Sequence, residues 1–231
     1  MDAVALSPDF GLQVLDVVSV DGHAGFEGFA HGLPEVDHGR QQDLRAAQTV
    51  AALYVDPNGV YANLPNVEVW DEERDARLYA GPWSVVAHPP CASWSAWAGM
   101  REVVYGRPRG EDGGCFAAAL DAVRRFGGVL EHPAYSKAWD AFGLPIPSVE
   151  GAWSQTLYGD WTCSFDQAAY GLRFNKHTWL YYVGDVPPDY IASHRPRTGR
   201  GPDDVWSDAR SRTSPLMADY LVRLAAQRLT G

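Results

Sequence analysis

Short apolar segments alternate with helical patterns along the chain from residue 49 onward. Residues 50–55, 67–70 and 83–87 are apolar runs that end at Asp or His, a pattern typical of short buried strands. Within residues 113–126 apolar side chains recur at helical spacing and two glycines follow, which predicts a helix with a left-handed end. Strands that alternate with helices predict an α/β fold whose sheet is mostly parallel and flanked by helices.

The alternation continues to the end of the chain with less regular spacing. We predict a strand at 129–130, a helix over 136–142, strands near 153–157, 167–170 and 178–183, and a last helix that starts at Ser214 and Pro215. Residues 1–48 differ, because they contain scattered glycines and histidines with little periodicity. We therefore expect an irregular N-terminal extension at 1–48 and one folded domain at 49–231.

The composition narrows the class of protein. The chain has 231 residues, of which 46% are hydrophobic, so it can bury a core of ordinary size. No apolar run approaches the roughly 20 residues of a membrane span, and no secretory pattern opens the sequence, so we expect a soluble cytoplasmic protein without membrane contact. Three cysteines without a C-x-x-C pair predict reduced thiols rather than a disulfide framework.

The charge distribution bears on the partners that the protein can bind. The net charge of -10 predicts weak attraction to duplex DNA, because that binding mode needs clustered Lys and Arg residues. Basic residues are nevertheless concentrated between Arg173 and Arg212, with Lys176 among them. This segment either receives one or a few phosphates or forms a solvated arginine-rich loop.

Reactive side chains follow the predicted strands, where parallel sheets bind their ligands. Cys91 comes after Pro89 and Pro90, which hold it on a stiff loop, so it is a candidate nucleophile, with a buried structural cysteine as the alternative. Glu131 follows an apolar strand, where a carboxylate needs a partner, so it is a candidate catalytic group, with a salt bridge or helix cap as the alternative. The other candidates at these positions are Asp56, Asn58, Gly59, Asp71, His88, Ser93, Trp94, Ser95 and His132.

Two of these segments resemble the motifs of a known enzyme family. The sequence His-Pro-Pro-Cys at 88–91 and the sequence Gly-Val-Leu-Glu-His-Pro at 128–133 resemble the Pro-Pro-Cys and Glu-Asn-Val motifs of the cytosine-C5 DNA methyltransferases. The resemblance is greatest with short phage-type relatives and covers roughly residues 50 to 228. It implies a Rossmann-like domain at 49–231 that modifies C5 of a pyrimidine in phage DNA modification, within the host cytoplasm.

The resemblance also implies catalytic roles. Cys91 would attack C6 of the ring as a thiolate, which makes C5 able to accept an electrophilic carbon. Glu131 would hydrogen-bond or protonate N3, where charge develops. His88 or His132 would lower the pKa of Cys91 or hold Glu131 in place.

The same resemblance implies how cofactor and substrate bind. S-adenosylmethionine would lie over the turn formed by Asp56, Asn58 and Gly59, with Asp71 at its ribose hydroxyls. We expect the substrate to be a pyrimidine in a nucleotide, in single-stranded DNA or flipped out of a duplex, because no segment is long enough for a target-recognition domain. The residues that would contact this substrate are Ser93, Trp94, Ser95, Arg173 and Lys176. The sequence makes no prediction of the oligomeric state.

Two other functions stay open from the sequence. A zinc-dependent hydrolase or deaminase would use as ligands His88, Cys91, His132 and Cys163. Their spacing differs from the His-x-Glu and Pro-Cys-x-x-Cys pattern of zinc deaminases. A catalytically inactive Rossmann-like module would bind a nucleotide or a protein through Trp-rich loops. The absence of a glycine-rich motif after the first strand favours this module, whereas the presence of both Cys91 and Glu131 favours an enzyme.

Overall fold

The computed structural model describes residues 48–95, 103, 106, 108, 110–148, 151–188 and 212–227. Within these ranges the chain forms one sheet of seven strands and three complete α-helices. The strands are β1 (Val50–Leu53), β2 (Val67–Trp70), β3 (Ser84–Ala87), β4 (Gly128–Pro133), β5 (Trp153–Gln155), β6 (Trp161–Asp166) and β7 (His177–Val183). The helices are α1 (Cys115–Phe126), α2 (Lys137–Ala141) and α3 (Pro215–Ala225). Short 3-10 helices lie at Val60–Asn63, Ala76–Leu78, Ala92–Trp94 and Gln167–Tyr170.

The sheet is mixed, with the strand order β2-β1-β3-β4-β7-β6-β5. The strands β2, β1, β3 and β4 are parallel, whereas β4, β7, β6 and β5 pair in antiparallel fashion. The predicted α/β class is confirmed, but only one half of the sheet is parallel. The short connections at 156–160 and 167–176 account for the antiparallel β5–β6 and β6–β7 pairs, because a parallel crossover needs about a dozen residues or more.

Helices cover both faces of the sheet, so its central strands are buried on two sides. The helices α1 and α2 pack with Leu53, Ala87 and Leu130 on one face, and α3 packs with Val86 and Val129 on the other. The longest of these helices have 12 and 11 residues. No helix in the described ranges is long and apolar enough to cross a membrane.

Gly128 allows β3 and β4 to lie close together. Its φ is +112°, and a Cβ atom at this position would collide with the carbonyl oxygen of Val85 in β3. The register that follows pairs Ala87 with Leu130. His88, the residue after β3, therefore lies beside Glu131.

Two elements differ from the predicted ones. Residues Gln167–Tyr170 form a 3-10 helix rather than a strand, because the Asp166 side chain accepts a hydrogen bond from the N–H of Ala168 and Gly171 takes a left-handed φ of 95°. The strand β6 has no counterpart among the predicted strands. The predicted irregular extension at 1–48 lies outside the described residues, apart from Gln48.

Candidate active site

The candidate residues lie at one edge of the sheet, which we call the carboxyl edge. The strands β1, β3 and β4 end there because they are parallel. The strand β7 starts there and β6 ends there, since each is antiparallel to its neighbour in the order β4-β7-β6. Side chains from both halves of the sheet therefore converge.

Glu131 is at the centre of this group and uses both carboxylate oxygens. Its Oε2 atom is 2.9 Å from His88 Nδ1, and its Oε1 atom accepts a 2.8 Å hydrogen bond from Gln167 Nε2. Lys176 Nζ lies 3.8 Å from the same Oε1 atom, and the Lys176 and Glu131 side chains are only 12% and 6% exposed. Burial acts to raise the pKa of Glu131, but the charge of Lys176 and the hydrogen bond from His88 outweigh it and hold the pKa at about 2. Glu131 is therefore ionised at neutral pH.

His88 connects Glu131 to Tyr61. Tyr61 is buried on the 3-10 helix Val60–Asn63, and its Oη atom is 2.7 Å from His88 Nε2. Because an ionised carboxylate only accepts hydrogen bonds, His88 Nδ1 carries a proton and donates a hydrogen bond to Glu131. Burial, followed by the charge of Glu131, raises the pKa of Tyr61 well above its usual value, so the phenol keeps its proton.

Sequence reasoning missed three members of this group, namely Tyr61, Gln167 and Thr178. Gln167 is fully buried, and its Nε2 atom also donates to Thr178 Oγ1 at 2.9 Å. The Thr178 hydroxyl donates to the backbone carbonyl of Lys176 at 3.2 Å, which fixes the start of β7. The sequence signal for Gln167 and Thr178 is that each is a polar residue next to an apolar segment. A polar side chain buried there needs a hydrogen-bond partner.

Cys91 lies on the loop after β3 and immediately precedes the 3-10 helix Ala92–Trp94. Although the residue as a whole is exposed, contact with the surrounding protein desolvates its sulfur and raises the pKa of the thiol. The charge of Glu131 raises this pKa further, and the charge of Lys176 lowers it. The thiol is therefore within electrostatic reach of both charged groups and is protonated at neutral pH.

A cavity of about 750 Å³ opens beside this group. Its wall includes Asp56, Asn58 and Gly59, which are predicted to bind the cofactor, together with Tyr61 and His88. The volume lies within the range of roughly 300–1,000 Å³ that is usual for small-molecule sites. The predicted cofactor turn and one predicted catalytic residue, His88, thus border one cavity, whereas Cys91 and Glu131 are not among its lining residues.

A second cavity, of about 550 Å³, adjoins the first and shares Val55 and Asp56 with it. Its other lining residues include Asp71, which is also predicted to bind the cofactor, and Glu72 and Glu73. Carboxylates therefore dominate this part of the edge.

The turn between the cavities is tightly organised. Tyr54, just after β1, has a φ of 61°, a left-handed conformation that is uncommon for a bulky residue. Asp56 then closes the turn, because its Oδ1 atom accepts from Asn58 N at 2.9 Å and its carbonyl accepts from Gly59 N at 2.9 Å. Backbone strain of this kind is concentrated at binding and catalytic sites.

His132 lies on the opposite face of the sheet from Glu131, because side chains alternate along β4. Its ring packs against Phe116 at 5.1 Å and Trp139 at 6.4 Å between centroids. Burial lowers its pKa to about 4, against the opposing effect of the Glu131 charge. His132 is therefore a neutral core residue rather than part of the carboxyl-edge group.

Among the five residues predicted to bind substrate, Lys176 joins the group and Trp94 does not. Trp94 is buried against α1, and its indole N–H donates to an aspartate just before that helix at 2.8 Å. Ser93 and Ser95 are half-buried near Cys91, and Arg173 is exposed. Trp94 is thus packed in the core, away from the carboxyl-edge group.

The four zinc ligands of the alternative hypothesis do not meet. His132 faces away from His88, and Cys163 is buried against α3. Among the described residues, no group of three or more His, Cys, Asp or Glu side chains is arranged to hold a metal ion.

Three residues at the carboxyl edge, His88, Cys91 and Glu131, come from segments 88–91 and 128–133, and the others come from elsewhere in the chain. No protein-family model matches the chain, and no curated protein matches it. The function is therefore inferred from the residues of the site.

Proposed function

We propose that the protein is a transferase that modifies C5 of a pyrimidine base, with Cys91 as nucleophile and Glu131 as the group that moves the proton at N3. The observation that carries this proposal is the buried Glu131 carboxylate, which Lys176 at 3.8 Å and His88 at 2.9 Å hold at the sheet edge where the Cys91 loop follows β3. A Rossmann-like architecture is part of the proposal, because the site lies at the carboxyl ends of the parallel strands.

The first chemical step forms a bond between the sulfur of Cys91 and C6 of the ring. The electron pair of the C5–C6 double bond then forms a C4–C5 double bond. The electron pair of the former C4–N3 double bond moves to N3. The thiol proton ends on N3, with Glu131 as the carrier. After C5 has taken up its substituent, loss of the C5 and N3 protons breaks the S–C6 bond, returns one proton to sulfur and releases the other to solvent.

The charge states of the free protein suit this proton movement. Cys91 is protonated and Glu131 is ionised, so the carboxylate can accept the thiol proton and pass it to N3. While Glu131 carries its full negative charge, it raises the pKa of the Cys91 thiol. When a bound base shares a proton with Glu131, this negative charge is reduced and the pKa of the thiol falls, so the thiol becomes more acidic only in the presence of substrate.

Lys176 supplies the positive charge of the site. It favours the ionised forms of both Glu131 and Cys91. Its ammonium group would also stabilise a ring carbonyl oxygen that gains charge when C6 is attacked.

S-adenosylmethionine is the proposed cofactor, and it would supply an electrophilic methyl group. The two adjoining cavities offer groups that fit it. Asp56 and Asp71 are acceptors for ribose hydroxyls or an ammonium group, and Arg212 in the larger cavity is a cation for a carboxylate. The larger cavity also contains His88, so a ligand bound there lies next to the Glu131 group.

Label transfer and covalent trapping test the proposal together. The purified protein is incubated with labelled S-adenosylmethionine and pyrimidine nucleotides, single-stranded oligonucleotides or duplexes, and 5-fluorinated versions trap the adduct for mass spectrometry. We expect transfer and an adduct at Cys91, neither of them with Cys91→Ser, and a rate lower by about 10²- to 10⁴-fold with Glu131→Gln. Cys115→Ser is the matched control, because this thiol lies at the start of α1 and should leave activity unchanged.

Failure to bind S-adenosylmethionine, to transfer label and to form the adduct would contradict the proposal. Nucleotide binding without catalysis is the second candidate, and one observation favours it. The pKa of the Cys91 thiol is raised, whereas catalytic thiols usually have a lowered pKa. Saturable nucleotide binding that leaves Cys91 unmodified would assign this second function.

A further inference from the structure

We propose that Tyr61 is a positioning residue that holds the His88 ring in one tautomer and orientation, so that Glu131 is kept in place as a carboxylate for proton transfer. The catalytic consequence rests on the proposed function. The effect on His88 and Glu131 does not, and it can be measured in a protein without activity.

The proposal starts from a continuous chain of hydrogen bonds. Tyr61 Oη is 2.7 Å from His88 Nε2, and His88 Nδ1 is 2.9 Å from Glu131 Oε2. Gln167 Nε2 reaches the other carboxylate oxygen at 2.8 Å. The chain therefore runs from the 3-10 helix after β1 to the start of the 3-10 helix after β6.

The direction of each hydrogen bond follows from the charges. Glu131 is ionised and can only accept, so when the imidazole carries a single proton, that proton is on Nδ1. His88 Nε2 then presents a lone pair, and the Tyr61 hydroxyl donates to it. If the ring gained a second proton, Nε2 would become a donor and the Tyr61 hydroxyl would have to turn away.

Tyr61 is held firmly enough to have this effect. It is 2% exposed, and its ring lies 5.4 Å from the His88 ring between centroids, tilted by 50°. Its phenol keeps its proton because burial raises its pKa. A buried, protonated donor at a fixed position favours a lone pair on the nitrogen that it faces.

Several charged and titratable groups act on Glu131. His88 and Cys91 lie after β3, Lys176 lies before β7 and Tyr61 lies after β1, whereas His132 acts from the opposite face of the sheet. Of these, His88 and Tyr61 also line the 750 Å³ cavity. A ligand in that cavity therefore touches the part of the chain that sets the position of Glu131.

Three variants test separately the hydrogen bonds at the two nitrogens of the His88 ring. Tyr61→Phe removes the donor to Nε2. His88→Asn keeps an N–H near the position of Nδ1 and loses Nε2, whereas His88→Gln keeps an N–H near Nε2 and loses Nδ1. Tyr79→Phe is the matched control, because it removes a buried tyrosine hydrogen bond, to the carbonyl of Trp83, away from the carboxyl edge.

Side-chain NMR on the full chain gives the primary readout. In the wild type we expect a ¹⁵N spectrum of His88 with a protonated Nδ1 and an unprotonated Nε2, and a Glu131 ¹³C titration well below the usual range. In Tyr61→Phe we expect the Nε2 signal to shift, because this nitrogen loses the hydrogen bond from the phenol. In His88→Gln we expect the pKa of Glu131 to rise by about one to two pH units, the size of one lost hydrogen bond to a charged group, with a smaller rise in His88→Asn.

The catalytic readout is the pH profile of label transfer. We expect its acid limb to move upward in His88→Gln and the rate to fall about tenfold in Tyr61→Phe, with Tyr79→Phe unchanged in both. A Tyr61→Phe variant with the wild-type ¹⁵N spectrum and Glu131 titration would overturn the proposal, even if the variant were less stable or less active. Altered NMR signals in a protein that transfers no label would support the positioning role and contradict the proposed function.

Discussion

The charge on buried Glu131 depends on a few neighbouring side chains. Moving a carboxylate out of water costs several kcal/mol, and Lys176, His88 and Gln167 offset this cost by charge and hydrogen bonds. The exposed pair Lys137–Asp140, with 3.7 Å between charged atoms, carries no such cost and contributes little. The same residue types thus have very different effects on stability at the two positions.

Replacement of Lys176 by Met should therefore affect both charge and stability. We expect Lys176→Met to lower the free energy of unfolding at pH 7 by roughly 2–4 kcal/mol, and Lys137→Met to change it by less than about 0.5 kcal/mol. Because the pKa of Glu131 is held at about 2, below its value in the unfolded chain, its ionised form stabilises the fold above about pH 4.3. This contribution is lost as the pH falls toward 2, and in the variant it should be lost at higher pH. Urea unfolding at a series of pH values measures both effects, and equal losses in the two variants would contradict this account.

The titration of His132 makes a second contribution to the pH dependence of the free energy of unfolding. The pKa of His132 is about 4 in the fold and about 6.5 when unfolded, so the unfolded chain binds the proton first as the pH falls. The free energy of unfolding should therefore decrease between pH 6.5 and 4, by up to about 3 kcal/mol from this group, and this decrease should disappear in His132→Phe. Denaturation curves at pH 7, 5.5 and 4.5 measure the difference, and parallel pH dependence in the two proteins would show that His132 is not responsible.

At the scale of elements, strands with an apolar run and a clear end are predictable, whereas distant pairings are not. The strands β2 and β3 match the predicted segments closely and are followed by the polar residues Asp71 and His88, whereas β1 ends at Leu53, two residues before the predicted end, because Tyr54 takes a left-handed φ of 61°. The sequence Gln-Ala-Ala-Tyr at 167–170 has no decisive local pattern, so a strand is predicted there incorrectly. The Asp166 side chain caps this segment, which forms a 3-10 helix. The contact of Gln167 with Glu131 joins residues 36 positions apart, and no local spacing encodes that contact.

The close approach of β3 and β4 makes Gly128 sensitive to substitution. Gly128→Ala should lower the free energy of unfolding by at least about 2 kcal/mol, since the added methyl group meets the backbone of Val85 and φ is positive. Gly143→Ala is the matched control, because its φ of +62° is also positive but nothing lies within 4 Å of the added atom. Thermal unfolding compares the two, and similar losses would mean that backbone strain rather than strand contact limits position 128.

At the scale of the whole molecule, the net charge of -10 limits the nucleic acids that the protein can bind. Long-range attraction to a duplex should be weak, whereas a nucleotide or a short single strand needs only local contacts. The 750 Å³ cavity beside the carboxyl-edge group should favour the smaller ligands further, because it is a recess at one sheet edge.

A binding comparison tests this selectivity. We expect fluorescence anisotropy at about 150 mM salt to give a Kd weaker than roughly 10 μM for a 20-base-pair duplex. Binding of a pyrimidine-rich single strand of the same length should be tighter. A nanomolar duplex affinity that depends on sequence would contradict the expectation.

The site combines a parallel half and an antiparallel half of the sheet, and this bears on how a new chain folds. The strands β5, β6 and β7 are close in sequence and should pair early, whereas His88 and Glu131 are 43 positions apart and should meet later. Until they meet, Cys91 has an ordinary thiol, more acidic than in the native fold. Pulsed alkylation during refolding should therefore modify Cys91 faster at early times than in the native protein. Oxidation would then be a hazard mainly of synthesis and refolding, and a reducing agent would matter more during preparation than during storage.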